Sequence, residues 1–477
     1  MTGKQTSSES FVSIKPVKPA TFVGWRKHLM TRVFKALLIT VVGSLILGAH
    51  AQAATRTAAS CNVADVQKAI NGSRDGDTVL VPAGDCTWSE GVTIDKTVSL
   101  KGAGSQAGGT RLIYSGADHS YVTVDVGNKT GFMEISGFFF DKPWLQTMTW
   151  QGLIQLSGPV GWKNVRFHHN HIRSYDRDWH IMAQSHIYAL IDHNVFEGKA
   201  GAILTRGRGD MDWTSPLVLG TADWFFIEDN TFDFTPDGNQ YPVNDMQNGG
   251  RIVFRNNTVK SGFFQTHDMM RNGYPSGQAY EIYGNTFSTS IQLHKAIELN
   301  SGTGVVFNNA ITGTWNYGIG LRDYKTAGPK VNNGTVDVKA CNGSDPSDQN
   351  VPGTNGWRCR YQIGTHGVGA SAVTFPLYVW SNTCDGTDGG CSDGYQAAFT
   401  DDTIDSAFSN TPTSAHVVSG RDFINNGTMP KAGYTPYAYP HPLQSGRGTS
   451  SSNAPSAPAQ LGTTLHVSRH LDTLNES

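Results

Sequence analysis

Apolar and polar residues alternate in short runs through the middle of the chain, and each run ends in an Asn that is followed by further apolar residues. Six runs lie between residues 164 and 311 and read NVRFHHNHI, YALIDHNVF, FFIEDNTF, RIVFRNNTV, YEIYGNTF and GVVFNNAI. A period of two, built from Val, Ile, Phe and Tyr, is typical of β-strands. The pattern therefore predicts a series of similar strands, each closed by an Asn.

The Asn residues recur at intervals of 24 to 36 residues. They are Asn170, Asn194, Asn230, Asn257, Asn285 and Asn309, and a seventh run, LYVWSNT, adds Asn382. Such periods indicate a solenoid or a propeller, but propeller blades need about 40–45 residues, and the runs lack the regularly placed Leu of leucine-rich repeats. A coil of short strands fits best. Asn tolerates left-handed backbone geometry at a corner, and stacked Asn side chains can form a ladder.

These Asn-cornered runs resemble the right-handed parallel β-helix of the pectin-lyase type. The resemblance covers about Cys61 to Leu443. It implies an all-β solenoid, and it is specific for fold rather than for activity.

A short helix is predicted before the first coil. Val63, Val66 and Ile70 fall on one helical face, and Asn71–Gly72 is a usual stop signal. Many pectin-lyase-type chains begin in a similar way, with an amphipathic helix that caps the open end of the coil. Such a cap covers apolar interior and unpaired backbone.

Composition and the N-terminal region indicate an exported protein. Basic residues precede the apolar segment ALLITVVGSLILG and small-x-small sites, so residues 1–53 are predicted to be a signal-peptide region, with Met30 as a possible true start. A single anchoring helix is the alternative. We expect secretion or a periplasmic location, with no stable membrane span in the mature chain. The net charge of −2 gives no electrostatic case for nucleic acid, and we expect a monomer.

Residues 54–443 are predicted to form the β-helix domain, with a disulfide-pinned insertion at about 325–374 and a low-complexity, disordered tail over 444–477. The aromatic and Pro-rich segment 421–443 is expected to lie along the coil exterior or to cover its C-terminal end. An even number of cysteines in an exported chain predicts disulfides. Pairing of nearest neighbours is the most economical arrangement: Cys61 with Cys86, Cys341 with Cys359, and Cys384 with Cys391.

Charged residues gather at similar offsets after successive Asn corners, which a solenoid places on one face. This predicted strip contains Arg206, Arg208, Asp245, His267, Arg271, Lys295, Glu298, Arg322 and Asp323. Charge clusters of this kind mark functional sites more often than chance, although ion-pair networks also produce them. A solvated ladder of ion pairs is the alternative.

The mixture suits β-elimination on a uronic-acid polysaccharide, which removes a proton next to a carboxyl group. The reaction needs neutralisation of the carboxylate, a base, and an acid for the leaving oxygen. We predict Lys295 or His267 as base and Arg322 or Arg271 on the substrate carboxylate. Asp245 and Glu298 are the predicted ligands of a candidate Ca²⁺ ion.

Four further residues are predicted to contact the glycan: Arg206, Arg208, Asp323 and Trp213. Trp faces can stack on sugar rings, and ordinary packing within the coil is an equally good interpretation of Trp213 and its neighbours.

Similarity to lyases of the chondroitinase B and alginate lyase type implies a Lys, an Arg and a calcium site on such a face. Lys295 and Arg322, one coil apart, are similar to that pair. Leu190-Ile191-Asp192-His193 also resembles a pectate lyase stretch, but the later Arg-x-Pro-x-x-Arg is missing.

Two alternatives to a lyase remain open. A glycoside hydrolase on the same fold would need a carboxylate pair, for which Asp245, Asp268 and Glu298 are candidates, but the Gly-His-Gly of polygalacturonase-like enzymes is missing. A carbohydrate-binding or adhesive solenoid would need no convergent Lys, Arg and carboxylate groups.

Overall fold

The computed structural model describes residues 53–115, 120–143, 152–175, 179–237, 239–266, 270–271, 274–321, 361–368, 372–385, 398–399 and 417–446. The chain divides into Met1–Gln52, which lies outside the described residues, and Ala53–Ser477. The predicted signal-peptide region is therefore untested, as is most of the predicted insertion.

Three long sheets of parallel strands make up the second unit. Sheet 1 contains Thr55–Thr57, Thr78–Leu80, Ser99–Lys101, Met133–Ser136, Val165–His168, Leu190–Asp192, Phe225–Glu228, Arg251–Arg255, Ala279–Tyr283, Thr303–Phe307, Leu377–Trp380 and Phe423–Asn425. Sheet 2 contains Val92–Ile94, Val122–Asp125, Ile154–Ser157, Trp179–Ala183, Gly201–Arg206, Tyr241–Gln247, Gly262–Gln265, Leu293–Leu299, Trp315–Leu321 and Ala398–Phe399. Sheet 3 contains Gly84–Trp88, Thr110–Tyr114, Phe138–Lys142, His171–Ser174, Val195–Gly198, Thr231–Asp233, Thr258–Lys260, Thr286–Ser288, Ala310–Thr312 and Thr383–Asp385.

The chain visits these sheets in rotation and pairs each strand with its counterpart one coil away. For example, Phe196 of sheet 3 pairs with Phe232, and Ile191 of sheet 1 pairs with Ile227. This is a parallel β-helix, as the sequence predicted.

Few other elements interrupt the coil within the described residues. They are the α-helices Val63–Asn71 and Asp210–Thr214, the 3₁₀ turns Thr235–Asp237 and Pro442–Ser445, and two antiparallel pairs, Met270–Arg271 with Tyr274–Pro275 and Thr365–His366 with Val373–Thr374. No helix of the described residues is long and apolar enough to cross a membrane.

The interior is a continuous apolar core with aromatic stacks along it. Phe196 and Phe232 lie in successive coils with ring centroids 4.9 Å apart, and Phe232 also contacts Phe254 at 5.8 Å. Equivalent positions stack because the register is kept from coil to coil. The alternating pattern of the sequence is the signature of this arrangement, since successive side chains of a strand point to opposite faces.

The predicted asparagine ladder is present at the corner between sheets 1 and 3. Each Asn side chain donates through Nδ2 to Oδ1 of the Asn in the next coil, from Asn170 through to Asn382, at 2.9–3.2 Å. The same Oδ1 atoms accept the backbone N–H of the preceding Asn. The ladder therefore satisfies backbone donors that the corner would otherwise leave buried and unpaired.

The left-handed residue of this corner is the one before each Asn, not the Asn itself. Its φ is positive in all seven coils, at His169, His193, Asp229, Asn256, Gly284, Asn308 and Ser381. The prediction that Asn itself adopts the left-handed geometry is therefore wrong. Asn is required instead for its side chain, whose carbonyl and amide reach the neighbouring coils.

The N-terminal helix caps the coil as predicted. Val66 and Ile70 are buried in the main core, and the disulfide between Cys61 and Cys86 joins the segment before the helix to the first strand of sheet 3. Cys384 is also disulfide-bonded. The remaining cysteines, Cys341, Cys359 and Cys391, lie outside the described residues, so the other two pairings stay predictions.

The segment from Lys431 to Ser445 lies along the outer face of sheet 1, in agreement with one of the two predicted positions. The buried Arg255 pairs with Glu228, with Nη2 2.5 Å from Oε2, and donates to the carbonyls of Tyr437 and Ala438. Glu228 in turn accepts the backbone N–H of His441 at 2.9 Å. We call residues 431–445 the strap.

Candidate functional site

The outer face of sheet 2 holds both carboxylates that the sequence predicted as metal ligands. Asn244 pairs with Phe264 and Gln265 pairs with Glu298, so Asp245, which follows Asn244, falls in the same row as Glu298. Ile297, one residue before Glu298, belongs to the apolar core, so this row points away from the interior. Strand spacing places the two backbones about 10 Å apart. Asp245 is fully buried and Glu298 is 8% exposed, so neither is a freely solvated surface charge.

Lys295 lies in the same strand as Glu298 and is directed at its carboxylate. Its Nζ is 3.5 Å from Oε1 of Glu298, and the residue is only 1% exposed. The Lys295 stem crosses Gly320 on the next strand, where an added Cβ would lie 2.9 Å from Lys295 Cδ. The structure therefore brings one predicted base and one predicted ligand into direct contact. A buried lysine amine is a group that can take and release a proton.

The predicted glycan-binding arginines lie at the other end of the strip. Arg206 ends a strand of sheet 2 and donates to Oε1 of Gln247 at 3.3 Å. Arg208 forms an ion pair with Asp212, with Nη2 2.6 Å from Oδ1, and its side chain is 31% exposed. Arg206 therefore lies in sheet 2, whereas Arg208 lies beyond the strand end and is already held by a carboxylate, so the glycan-binding roles of both stay predictions.

Trp213 is enclosed rather than exposed. It is 0% exposed, its indole N–H donates to the carbonyl of Ser276, and its ring lies edge-on to Tyr361. A sugar ring has no access to it in this arrangement, so the predicted stacking role does not fit and ordinary packing is the better interpretation. The helix Asp210–Thr214 is too short to show an apolar stripe, and for that reason the sequence did not reveal this burial.

The other predicted site residues cannot be placed on the strip. His267, Arg322 and Asp323 lie outside the described residues, and only the backbone of Arg271 is described, in the strand Met270–Arg271. In sequence, Arg322 follows directly after the strand Trp315–Leu321 of sheet 2. Their roles remain predictions.

Asp212, His186 and Tyr188 form a hydrogen-bonded chain that was not predicted from the sequence. Asp212 accepts from Nδ1 of His186 at 2.7 Å, and Nε2 of His186 lies 2.9 Å from the hydroxyl of Tyr188. Burial raises the pKa of Asp212, but the hydrogen bonds from His186 and Arg208 outweigh it and lower the pKa below the usual range. His186 and Asp212 are 26 residues apart, and Asp212 lies in the separate helix Asp210–Thr214, so no local spacing could have revealed their contact.

The described residues do not complete a metal site. No group of three or more His, Cys, Asp and Glu side chains among them is arranged to hold a metal ion. Asp245 and Glu298 offer the oxygen donors that Ca²⁺ prefers, but Ca²⁺ takes six to eight oxygens, and Lys295 already contacts Glu298. The calcium site stays a prediction.

Three histidines lie side by side at the corner between sheets 1 and 3. His169 stacks on His193, with ring centroids 5.0 Å apart, and His168 is 2.7 Å from Glu134 through Nε2. They pack along the asparagine ladder rather than converging on one point.

No protein-family model matches the chain, and no curated protein matches it.

Solved structures do resemble it. A PL6 family polysaccharide lyase from Pseudopedobacter saltans is 15% identical, with a TM-score of 0.39, and the match covers 84% of this chain and 97% of that one. An alginate lyase from Paenibacillus sp. str. FPU-7 is 14% identical, with a TM-score of 0.26 and coverage of 54% and 94%. The catalytic domain of a GH87 α-1,3-glucanase is 11% identical, with a TM-score of 0.31 and coverage of 79% and 67%. Likeness at this level carries no argument about activity.

Proposed function

We propose that the chain is a lyase that cleaves an acidic, uronic-acid-containing polysaccharide by β-elimination on the outer face of sheet 2. The observation that carries this proposal is the buried contact between Lys295 and Glu298, on the same row as the buried Asp245. Lysine and acidic side chains are among the residues least often buried. Their concentration on one outer face suits proton transfer better than it suits packing.

Lys295 is the proposed base. Its neutral amine takes the proton from the carbon next to the uronate carboxyl group, the electron pair of that bond forms a carbon–carbon double bond, and the bond to the leaving glycosidic oxygen breaks. The contact with Glu298 then stabilises the ammonium form of Lys295. Asp245 and Glu298 are the candidate Ca²⁺ ligands, and a bound ion would neutralise the substrate carboxylate.

The remaining proton has to reach the leaving oxygen. We propose His267 as its donor, because an arginine keeps its proton in proteins, and Arg271 or Arg322 keeps its predicted place on the substrate carboxylate. At the opposite end of the strip, Arg206 and Arg208 would bind further carboxylates of the same polymer, because guanidinium groups suit carboxylates in geometry and charge.

Elimination leaves an unsaturated uronate, whose ultraviolet absorbance distinguishes it from a product of hydrolysis. The purified mature protein is incubated with a panel of acidic polysaccharides, first with calcium and then with a chelator. A rise in absorbance supports the lyase, and loss of that rise with the chelator supports the calcium role. New reducing ends without absorbance would indicate a glycoside hydrolase. Glycan binding without any cleavage would indicate an adhesive solenoid.

A further inference from the structure

The side-chain amide of Gln240 holds the backbone of the Lys295 segment at two points. Its Nε2 donates to the carbonyl of Lys295, and its Oε1 accepts the backbone N–H of His294 at 3.2 Å. Gln240 comes from the turn before the strand Tyr241–Gln247, more than fifty residues earlier in the chain. One amide therefore bonds both ends of a dipeptide that contains the proposed base.

The register of sheet 2 explains why a side chain reaches this place. Between the strand Gly262–Gln265 and the strand of Lys295, pairing runs from Phe264 with Ile297 to Gln265 with Glu298. His294 and Lys295 lie before the start of that ladder. The amide of Gln240 offers the same donor and acceptor groups as a peptide unit, so it continues the hydrogen bonding of this strand edge.

We infer that Gln240 is a positioning residue for Lys295. It fixes the backbone on one side, while Gly320 and Glu298 confine the side chain on the other. A base acts only when it is held within hydrogen-bond reach of the proton that it removes. Displacement by about 1 Å can cost about a hundredfold in rate. The Gln240 side chain bonds the backbone of His294 and Lys295, and contacts with the substrate are made by other residues. Loss of the two hydrogen bonds should therefore affect the chemical step rather than substrate binding.

The inference rests on the proposed lyase, and the test separates the two. Gln240→Met keeps the length of the side chain but removes both hydrogen bonds. Gln292→Met is the matched control, because Gln292 lies just before the same strand and its amide contacts only the side chain of Asn316 among the bonds described, at 2.7 Å. On a cleaved polysaccharide, we expect Gln240→Met to lower kcat about 10- to 100-fold with KM within about threefold. Gln292→Met should match the unaltered protein.

Two further measurements guard against a purely structural effect. Amide hydrogen exchange at His294 should accelerate in Gln240→Met, while the melting temperature stays near that of the control variant. Gln240→Glu keeps the acceptor for His294 but has no donor for the carbonyl of Lys295, so its kcat should be intermediate. If Gln240→Met does not fold, the kcat of Gln240→Glu tests the positioning role instead.

The outcomes are distinct. An unchanged kcat in a folded Gln240→Met overturns the positioning role and leaves the lyase standing. A rise in KM with an unchanged kcat also overturns it, since Gln240 would then act in binding. If the unaltered protein eliminates none of the polysaccharides, the lyase fails and the positioning role fails with it. Exchange at His294 would still show whether the contact exists in solution.

Discussion

At the scale of the residue, one Asn side chain in each coil hydrogen-bonds several buried groups of its own and the neighbouring coils. Asn257 donates through Nδ2 to Oδ1 of Asn285 and to the carbonyls of Ile227 and Arg255, and its own Oδ1 accepts from Asn230. All of these atoms are buried, so a missing partner leaves them unsatisfied rather than exposed to water. Buried polar groups are costly when unpaired because the fold has removed them from water.

Replacing one Asn of the ladder should therefore lower the free energy of unfolding by more than the loss of an ordinary hydrogen bond would. We expect Asn257→Ala to lower the free energy of unfolding by about 2–4 kcal/mol, because it leaves buried donors and acceptors in two neighbouring coils without hydrogen-bond partners. Urea denaturation measures this. Asn164→Ala is the control, because the side-chain bond described for Asn164 is an exposed one, from Nδ2 to the carbonyl of Thr130. Equal losses in the two variants would contradict the importance of the ladder.

The sequence revealed the ladder because every coil repeats it. The strand pattern, the Asn at each corner, the capping helix and the Cys61–Cys86 disulfide were all predictable, since each depends on spacing or on local periodicity. The left-handed residue was assigned wrongly because Asn is the common feature of the corner. The residue before it varies among His, Asp, Asn, Gly and Ser.

At the scale of the element, the strap is held to sheet 1 by buried charge. Arg255 and Glu228 are both 0% exposed as side chains, and each also hydrogen-bonds the backbone of the strap. Breaking such a pair by removing one partner is strongly destabilising, since the remaining charge stays buried. A variant that breaks the ion pair between Arg255 and Glu228 should therefore also detach the strap from sheet 1.

We expect Arg255→Met to lower the free energy of unfolding by about 3–5 kcal/mol and to expose the strap to protease. Limited proteolysis and denaturant unfolding measure the two effects. Lys163→Met is the control, because Lys163 and Asp223 form an ion pair with both side chains about half exposed, and such pairs contribute little. A strap that stays protected in Arg255→Met would contradict this account.

Acid should loosen the strap through His441. Burial, helped by the nearby positive charge of Arg255, lowers the pKa of His441 to about 3, and the ring packs on Phe226 with centroids 4.6 Å apart. The folded state thus favours the neutral ring. The stabilisation is fully present above pH about 6.5, the ordinary pKa of His, and is lost as the pH falls from there toward 3.

The matching test is the pH dependence of stability in His441→Asn, in which the amide can still accept the N–H of Leu443, as Nδ1 of His441 does. The variant should lose less stability than the unaltered protein between pH 6.5 and 3, as measured by thermal unfolding at several pH values. Parallel curves for the two proteins would show that His441 is not responsible.

At the scale of the whole molecule, the faces formed by the three sheets differ in the features that they carry. Sheet 1 carries the strap, the corner between sheets 1 and 3 carries the ladder, and sheet 2 presents Lys295, Glu298 and Asp245 on its outer face. The sequence predicted that these three residues share a strip, because solenoid positions stack. It did not predict Gln240, His186 or the burial of Trp213, since these depend on loops that cross several coils.

The most direct test of the proposed lyase compares two lysine variants on the polysaccharide that the unaltered protein cleaves. Lys295→Met removes the proposed base. Lys260→Met removes a half-exposed lysine that pairs with Asp233 on sheet 3, at 3.0 Å between Nζ and Oδ2. The measured quantity is the rate of formation of the unsaturated uronate. We expect Lys295→Met to lose at least about a hundredfold in kcat and Lys260→Met to keep its rate. A folded Lys295→Met that forms product at the unaltered rate would show that the chemistry lies elsewhere.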